Sequence, residues 1–211
     1  MATSLAGRAV IAAQEVPDES EPGLVLTGHP EIAASLERIA RGSQLWRNEV
    51  ELLRATGRRA VVVMPDQVLV ADPRRRTQKA FDNSVLADVS LLPDSPSGIA
   101  AVVVINLPLF DELHARRGSA RVEKLDDLDR ILIHEIYGHA FPYLRAGDVS
   151  GRCSDPVAGE RAEDACSIRR ENAVRAELGL GRRTDYGILG LNLSRPGLGP
   201  DRFVFSAGNR R

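Results

Sequence analysis

The period of the apolar residues along this 211-residue chain bounds the fold. Apart from a helical stretch between Pro30 and Gly57, they come up to residue 107 in short β-branched runs; from about residue 109 they recur at helical spacing until Gly179, after which Gly and Pro dominate. Continuous β-branched runs suit strands, while apolar residues every three or four positions suit helices. The order therefore predicts strands before helices, an α+β domain. Residues 23–27 predict a first strand, and Pro30 starts a helix bearing Ile32, Leu36 and Ile39. Gly42 interrupts that helix before Leu45, Trp46, Val50 and Leu53 continue the spacing to Gly57. Residues 60–64 and 68–71 flank Pro65-Asp66-Gln67, which is a hairpin signal. Residues 99–107 add a further strand. Residues 1–22 combine Glu15, Asp18, Glu19 and Glu21 with Pro17 and Pro22 and hold no sustained apolar period. They read as a poorly ordered leader, leaving 23–211 as a single domain.

Charge and hydropathy exclude several classes. Lys plus Arg number 28 against 29 Asp plus Glu, for a net charge of −1, so the basic footprint of a nucleic-acid binder is missing. The longest wholly apolar runs, such as residues 99–105, are far too short to span a bilayer. Residues 1–14 lack the basic, apolar and cleavage regions of an export signal. Two cysteines, Cys153 and Cys166, make no disulfide scaffold. A cytoplasmic, reducing location in the producing cell, or tolerance of both redox states, is expected, and that compartment does not favour a bridge between them.

The chemistry concentrates in one window, His134-Glu135-Ile136-Tyr137-Gly138-His139, at the end of a helical run through Leu125, Leu128, Ile131 and Leu132. It is similar to the helical zinc motif in which two imidazoles hold the metal and the Glu between them acts as general base on a water the metal activates. That motif stacks its histidines at i and i+4. Here they stand at i and i+5, about 140° apart on a regular helix. A single π-turn, or unwinding at Gly138, would bring them back to one side. Pro142 just beyond loosens the helix further.

A catalytic zinc needs a third protein ligand. The next helical segment, from Pro156 to Gly179, sets Glu160, Asp164 and Glu171 within about 40° of one another on its apolar side. Buried carboxylates need pairing or a metal, so this stripe supplies either ligands or an ion-paired seam with Arg161 and Arg175. Asp164 is the leading third ligand. Glu160 and Glu163 are alternatives, although Glu163 lies off the apolar side and reads more simply as a surface acid. Cys166 and Cys153 are thiolate alternatives. Glu171 and Arg175, at i and i+4, suit an ion pair supporting the ligands. For a donor to a developing oxyanion, Tyr137, Tyr143, Tyr186 and the arginines are open, with Tyr186 favoured by its polar loop. Tyr137 and Tyr143 read more simply as core residues.

Residues 134–140 together with Glu171-Asn172-Ala173-Val174-Arg175 and Leu178-Gly179-Leu180 resemble the zinc-metallopeptidase effectors and polymorphic-toxin proteases of bacteria. In that family a His-Glu helix is followed by an acid, then by Glu-Asn-x-x-Arg, a Leu-Gly-Leu turn, and Arg and Tyr, matched here by Arg182, Arg183 and Tyr186. The likeness spans about residues 131–187, roughly a quarter of the chain. It implies a zincin-like fold, in which a small twisted sheet precedes an active-site helix and a second ligand-bearing helix. It further implies a Zn2+ cofactor on His134, His139 and an acid at Asp164, with Glu135 as base. The implied activity is endoproteolysis of a protein or peptide substrate inside a target cell, with delivery that needs no cleaved signal and, for a toxin, an inhibitory partner protein. The wider histidine spacing is similar instead to TldD-type peptide-maturing proteases, whose third ligand is a cysteine. A non-catalytic metal-binding or interaction domain is the other alternative. Zincin-like proteases hold an extended substrate along a sheet edge, and residues 99–107 are the expected edge.

Overall fold

The computed structural model describes residues 10–13, 24–72, 77–80, 85–91, 98–146 and 162–183. Strand β2 (Val25–Thr27) opens the main sheet. Helices α1 (Pro30–Gly42) and α2 (Gln44–Arg54) then carry the chain back to β3 (Arg59–Val63), parallel to β2. The two helices expected between Pro30 and Gly57 thus intervene between the first two strands of the sheet, because a parallel pair needs a crossover of a dozen or more residues. Pro30 occupies the first turn of α1, where a missing N–H costs nothing. The expected break falls at Ser43, whose extended backbone ends α1 and whose Oγ accepts the Trp46 N–H at 3.0 Å, capping α2.

The hairpin expected around Pro65-Asp66-Gln67 does not form. Those residues make a short 3-10 turn, but β3 and β4 (Val68–Asp72) enter different sheets. β4 lies antiparallel between β1 (Val10–Ala13) and β5 (Thr77–Ala80). β1 falls inside the stretch expected to be an unordered leader. A turn signal fixes where a chain reverses, not which neighbour each strand takes, and the valines of β3, buried on both faces, find parallel partners instead.

The main sheet runs β2-β3-β7-β6, with β7 (Ile99–Ile105) parallel to β3 and antiparallel to β6 (Ala87–Leu91). β7 is therefore internal and not the open edge expected of it. Its seven residues are all buried, which is what a continuous apolar run in a central strand requires. β6 takes the end position.

After β7, Asn106 caps α3 (Leu107–Arg117) by accepting the Leu109 N–H at 3.1 Å, and Gly118 ends it at φ 67°. Helix α4 (Arg121–Leu132), a π-turn (Ile133–Ala140) and α5 (Phe141–Ala146) follow as one continuous rod. Helix α6 (Ala162–Glu177) packs against the π-turn. Ser35 and Arg38 of α1 both donate to the Asp129 carboxylate, tying α1 to α4. The core lies between these helices and the sheet face carrying Ala60, Val62, Val103 and Ile105, with Ile39 and Ile131 inaccessible to solvent. The architecture is α+β. Among the described residues no helix is long and apolar enough to cross a membrane.

Candidate functional site

The five-residue spacing of the histidines is resolved by the backbone itself. Residues 133–140 adopt π-helical pairing, whose wider turn returns positions i and i+5 to the same side. The Nε2 atoms of His134 and His139 consequently face each other at 3.3 Å, with the rings nearly perpendicular at 80°. Two nitrogens each bound to tetrahedral zinc at about 2.0–2.1 Å stand about 3.3–3.4 Å apart, so the pair already has the separation of metal ligands. His134 is fully buried and His139 less completely so. Burial pushes the His139 pKa well below its ordinary value, helped by His134 and the Arg170 charge, and lowers that of His134 against the pull of Glu171. Both rings are thereby neutral near pH 7, the form that ligates metals.

The other nitrogen of His134 is held by α6. Its Nδ1–H donates to Glu171 Oε2 at 2.9 Å, so Nε2 is the ring nitrogen that faces His139. Arg175 Nη1 donates to Glu171 Oε1 at 2.6 Å, and Arg183 Nη1 to Oε2 at 3.0 Å. Burial alone would raise the Glu171 carboxyl, but the His134 hydrogen bond and the two arginines overcome it and hold it at about 2. The ion pair expected between Glu171 and Arg175 is thus present and buried. Arg183 is a site residue that spacing did not reveal; its only sequence signal was its place in the family-like pattern. A Schellman turn brings it there: Gly179, at φ 69°, donates to the Ala176 carbonyl, and Leu180 to that of Arg175 at 2.9 Å. Asn172 then clamps the Arg183 backbone, accepting its N–H at 2.7 Å and donating to its carbonyl at 2.8 Å.

Glu135 lies on the same π-turn, wholly buried, and neither carboxylate oxygen finds a hydrogen-bond partner among the described residues. Burial, reinforced by the Asp88 carboxylate on β6, raises its pKa well above normal. Two facing imidazole nitrogens fit a pair of metal ligands, and Glu135, next to His134 in the chain, keeps both carboxylate oxygens without a hydrogen-bond partner among the described residues. Close packing holds the turn in place. A Cβ on Gly138 would stand 3.1 Å from Ser167 Cβ and 3.3 Å from Ser167 O, so glycine lets α6 approach. Arg170 donates to the Gly138 carbonyl at 3.2 Å. On the opposite flank Trp46 of α2 stacks on Tyr137, with centroids 6.0 Å apart, and meets Phe141 at 5.0 Å.

The remaining expected residues distribute unevenly. Asp164 and Glu163 lie on α6, with side chains outside the described residues; Glu160, Cys153 and Tyr186 lie outside them altogether. Asp164 stands seven residues, about two turns, before Glu171 and so shares its helix face. Cys166 is buried and disulfide-bonded. Its sulfur is no thiolate donor, so Cys166 drops out as an alternative ligand, and the bridge that a reducing compartment did not favour is present. Tyr143 is a core residue and Tyr137 belongs to the aromatic cluster. Among the described residues no third His, Cys, Asp or Glu completes a three-ligand set. No family model, curated protein or solved structure matches the chain.

Proposed function

We propose that the chain is a zinc-dependent endopeptidase with a zincin-like arrangement, of the secreted-effector or toxin type, acting on a protein substrate. The observation that carries this reading is the 3.3 Å approach of the His134 and His139 Nε2 atoms across the π-turn, which also carries Glu135 with its carboxylate unpartnered among the described residues. His134 and His139 would hold the metal, with Asp164 as the proposed third ligand. When bound, zinc would supply the Lewis acidity that polarises a carbonyl and makes water acidic near neutral pH. Glu135, its pKa raised by burial, is poised to take a proton from the attacking water and return it to the leaving amine. Glu171, with Arg175 and Arg183, orients His134. β6, at the end of the sheet and packed against the π-turn, is the strand along which an extended substrate would lie.

The test is elemental analysis together with peptide-library cleavage. One equivalent of zinc with cleavage is expected, and Glu135→Gln should keep the zinc and lose at least about 100-fold in turnover. Turnover that survives Glu135→Gln overturns the assignment. A second reading, a domain that holds metal without turnover, draws on the two-histidine set among the described residues. It predicts zinc binding and no cleavage. The TldD-like alternative needs a cysteine thiolate and is disfavoured by the oxidised sulfur of Cys166.

A further inference from the structure

We infer that Arg183 is a positioning residue of this centre: it shares Glu171 Oε2 with His134 Nδ1–H and so keeps the imidazole in the one tautomer whose Nε2 lone pair faces His139. The inference rests on the reading of the two histidines as metal ligands, but its first readout does not.

An ionised carboxylate only accepts and a guanidinium only donates. Glu171 Oε2 stands 2.9 Å from His134 Nδ1 and 3.0 Å from Arg183 Nη1, so it receives hydrogen from both, although Nη1 and Nδ1 are themselves only 3.2 Å apart. Arg175 engages the other oxygen at 2.6 Å, which leaves Oε2 as the nearest acceptor for the ring. Remove Arg183 and that carboxylate loses one of its two arginines. It is then free to rotate about its terminal bond, and the ring can flip to present Nε2–H instead. Arg183 is also held in place from its backbone. The Asn172 amide grips both its N–H and its carbonyl, and the Schellman turn at Gly179 returns the chain to the helix it has just left. A side chain held merely to cover the end of α6 would need no such two-point grip. The chain from Glu171 to Arg183, 12 positions on, thus forms a closed loop whose product is the orientation of an imidazole on another helix.

The experiment is long-range 1H–15N correlation of the metal-free full-length chain, which distinguishes the two imidazole tautomers, followed by zinc titration of the same samples. In the unsubstituted chain His134 should appear as the pure Nδ1–H tautomer. Arg183→Met should give a mixture of tautomers and weaken zinc binding by about 10- to 100-fold, the usual effect of losing an outer partner of a ligand histidine. Arg183→Lys, which restores one donor, should recover part of that loss. Asn172→Ala, which frees the Arg183 backbone and leaves its guanidinium, should act in the same direction but less. A single Nδ1–H tautomer and unchanged zinc affinity in Arg183→Met overturn the inference. Should Arg183→Met fail to fold, unchanged tautomer and affinity in both Arg183→Lys and Asn172→Ala overturn it equally. A chain that binds no zinc but loses its single tautomer on substitution would refute the metal reading and leave the positioning role of Arg183 standing.

Discussion

His134 and His139 point their Nε2 atoms at each other across 3.3 Å although they stand five positions apart, because the helix between them is wound as a π-turn. Two lone pairs at that distance repel unless a proton or a cation lies between them. The arrangement is therefore sensitive to what fills it, and the flanking residues determine how firmly it is held.

Glu171 carries the heaviest load among those neighbours. Glu171→Gln leaves Arg175 and Arg183 buried without a full counter-charge, and breaking a buried pair of this kind costs about 3–5 kcal/mol. Urea denaturation of the metal-free chain measures that loss. Zinc titration should show a further drop of about 10- to 100-fold in affinity.

Gly138→Ala places a methyl group against the Ser167 Cβ and carbonyl. Overpacking of this kind costs about 1–3 kcal/mol, partly offset by the roughly 1 kcal/mol that Ala gains over Gly in a helix. A net loss of about 1 kcal/mol in urea denaturation is expected. Combining it with Ser167→Gly, which removes the Cβ and leaves the carbonyl, should recover part.

Trp46→Ala empties the stack against Tyr137 and Phe141, which bracket His139 in sequence. Loss of a buried Trp costs about 3–5 kcal/mol, and thermal or urea unfolding reads it directly. Trp46→Phe should cost markedly less.

His114 gives a pH dependence away from the site. It is buried beside Phe110, and burial lowers its pKa from 6.5 against the opposing charge of Asp127. The folded chain therefore binds this proton less readily than the unfolded one. Its stability contribution is full above about pH 6.5 and is lost as the pH falls below that value. Asp127 and Asp129, raised from 3.8 by burial, act with the opposite sign from that pH upward. The histidine effect is accordingly read as a difference: between pH 7 and 5, His114→Gln should lose less stability than the unsubstituted chain.

How much of this was legible in the sequence differs by element. Pro30, the break after Gly42 and the helical run through Ile131 announced their helices because capping and periodicity are local signals. The histidine spacing announced a distorted helix for the same reason. The pairing of β3 and β4 was misread because both runs are β-branched and a turn lies between them, while sheet partnership is decided by burial at a distance. The seven apolar residues of β7 carried the information that it is central, since an edge strand would show alternation. Arg183 stands 49 residues from His134 and reaches it only through the turn at Gly179, so no periodicity could connect them. Asp88 lies in β6, which no apolar period or turn signal marks in the sequence, and its effect on Glu135 depends on the fold.

The π-turn has a consequence for how such a chain can change. One additional residue in a helix advances everything downstream by about 100°. Deleting Ile136 or Tyr137 would give the ordinary four-residue interval and leave the imidazoles on a common side, yet swing Phe141 and Tyr143 out of their seats. The extra residue acts as a phase adjustment within a single rod, satisfying the histidines before it and the aromatic side chains after it together. Variation in the length of this segment should therefore be tolerated only when α5 is repacked in the same step.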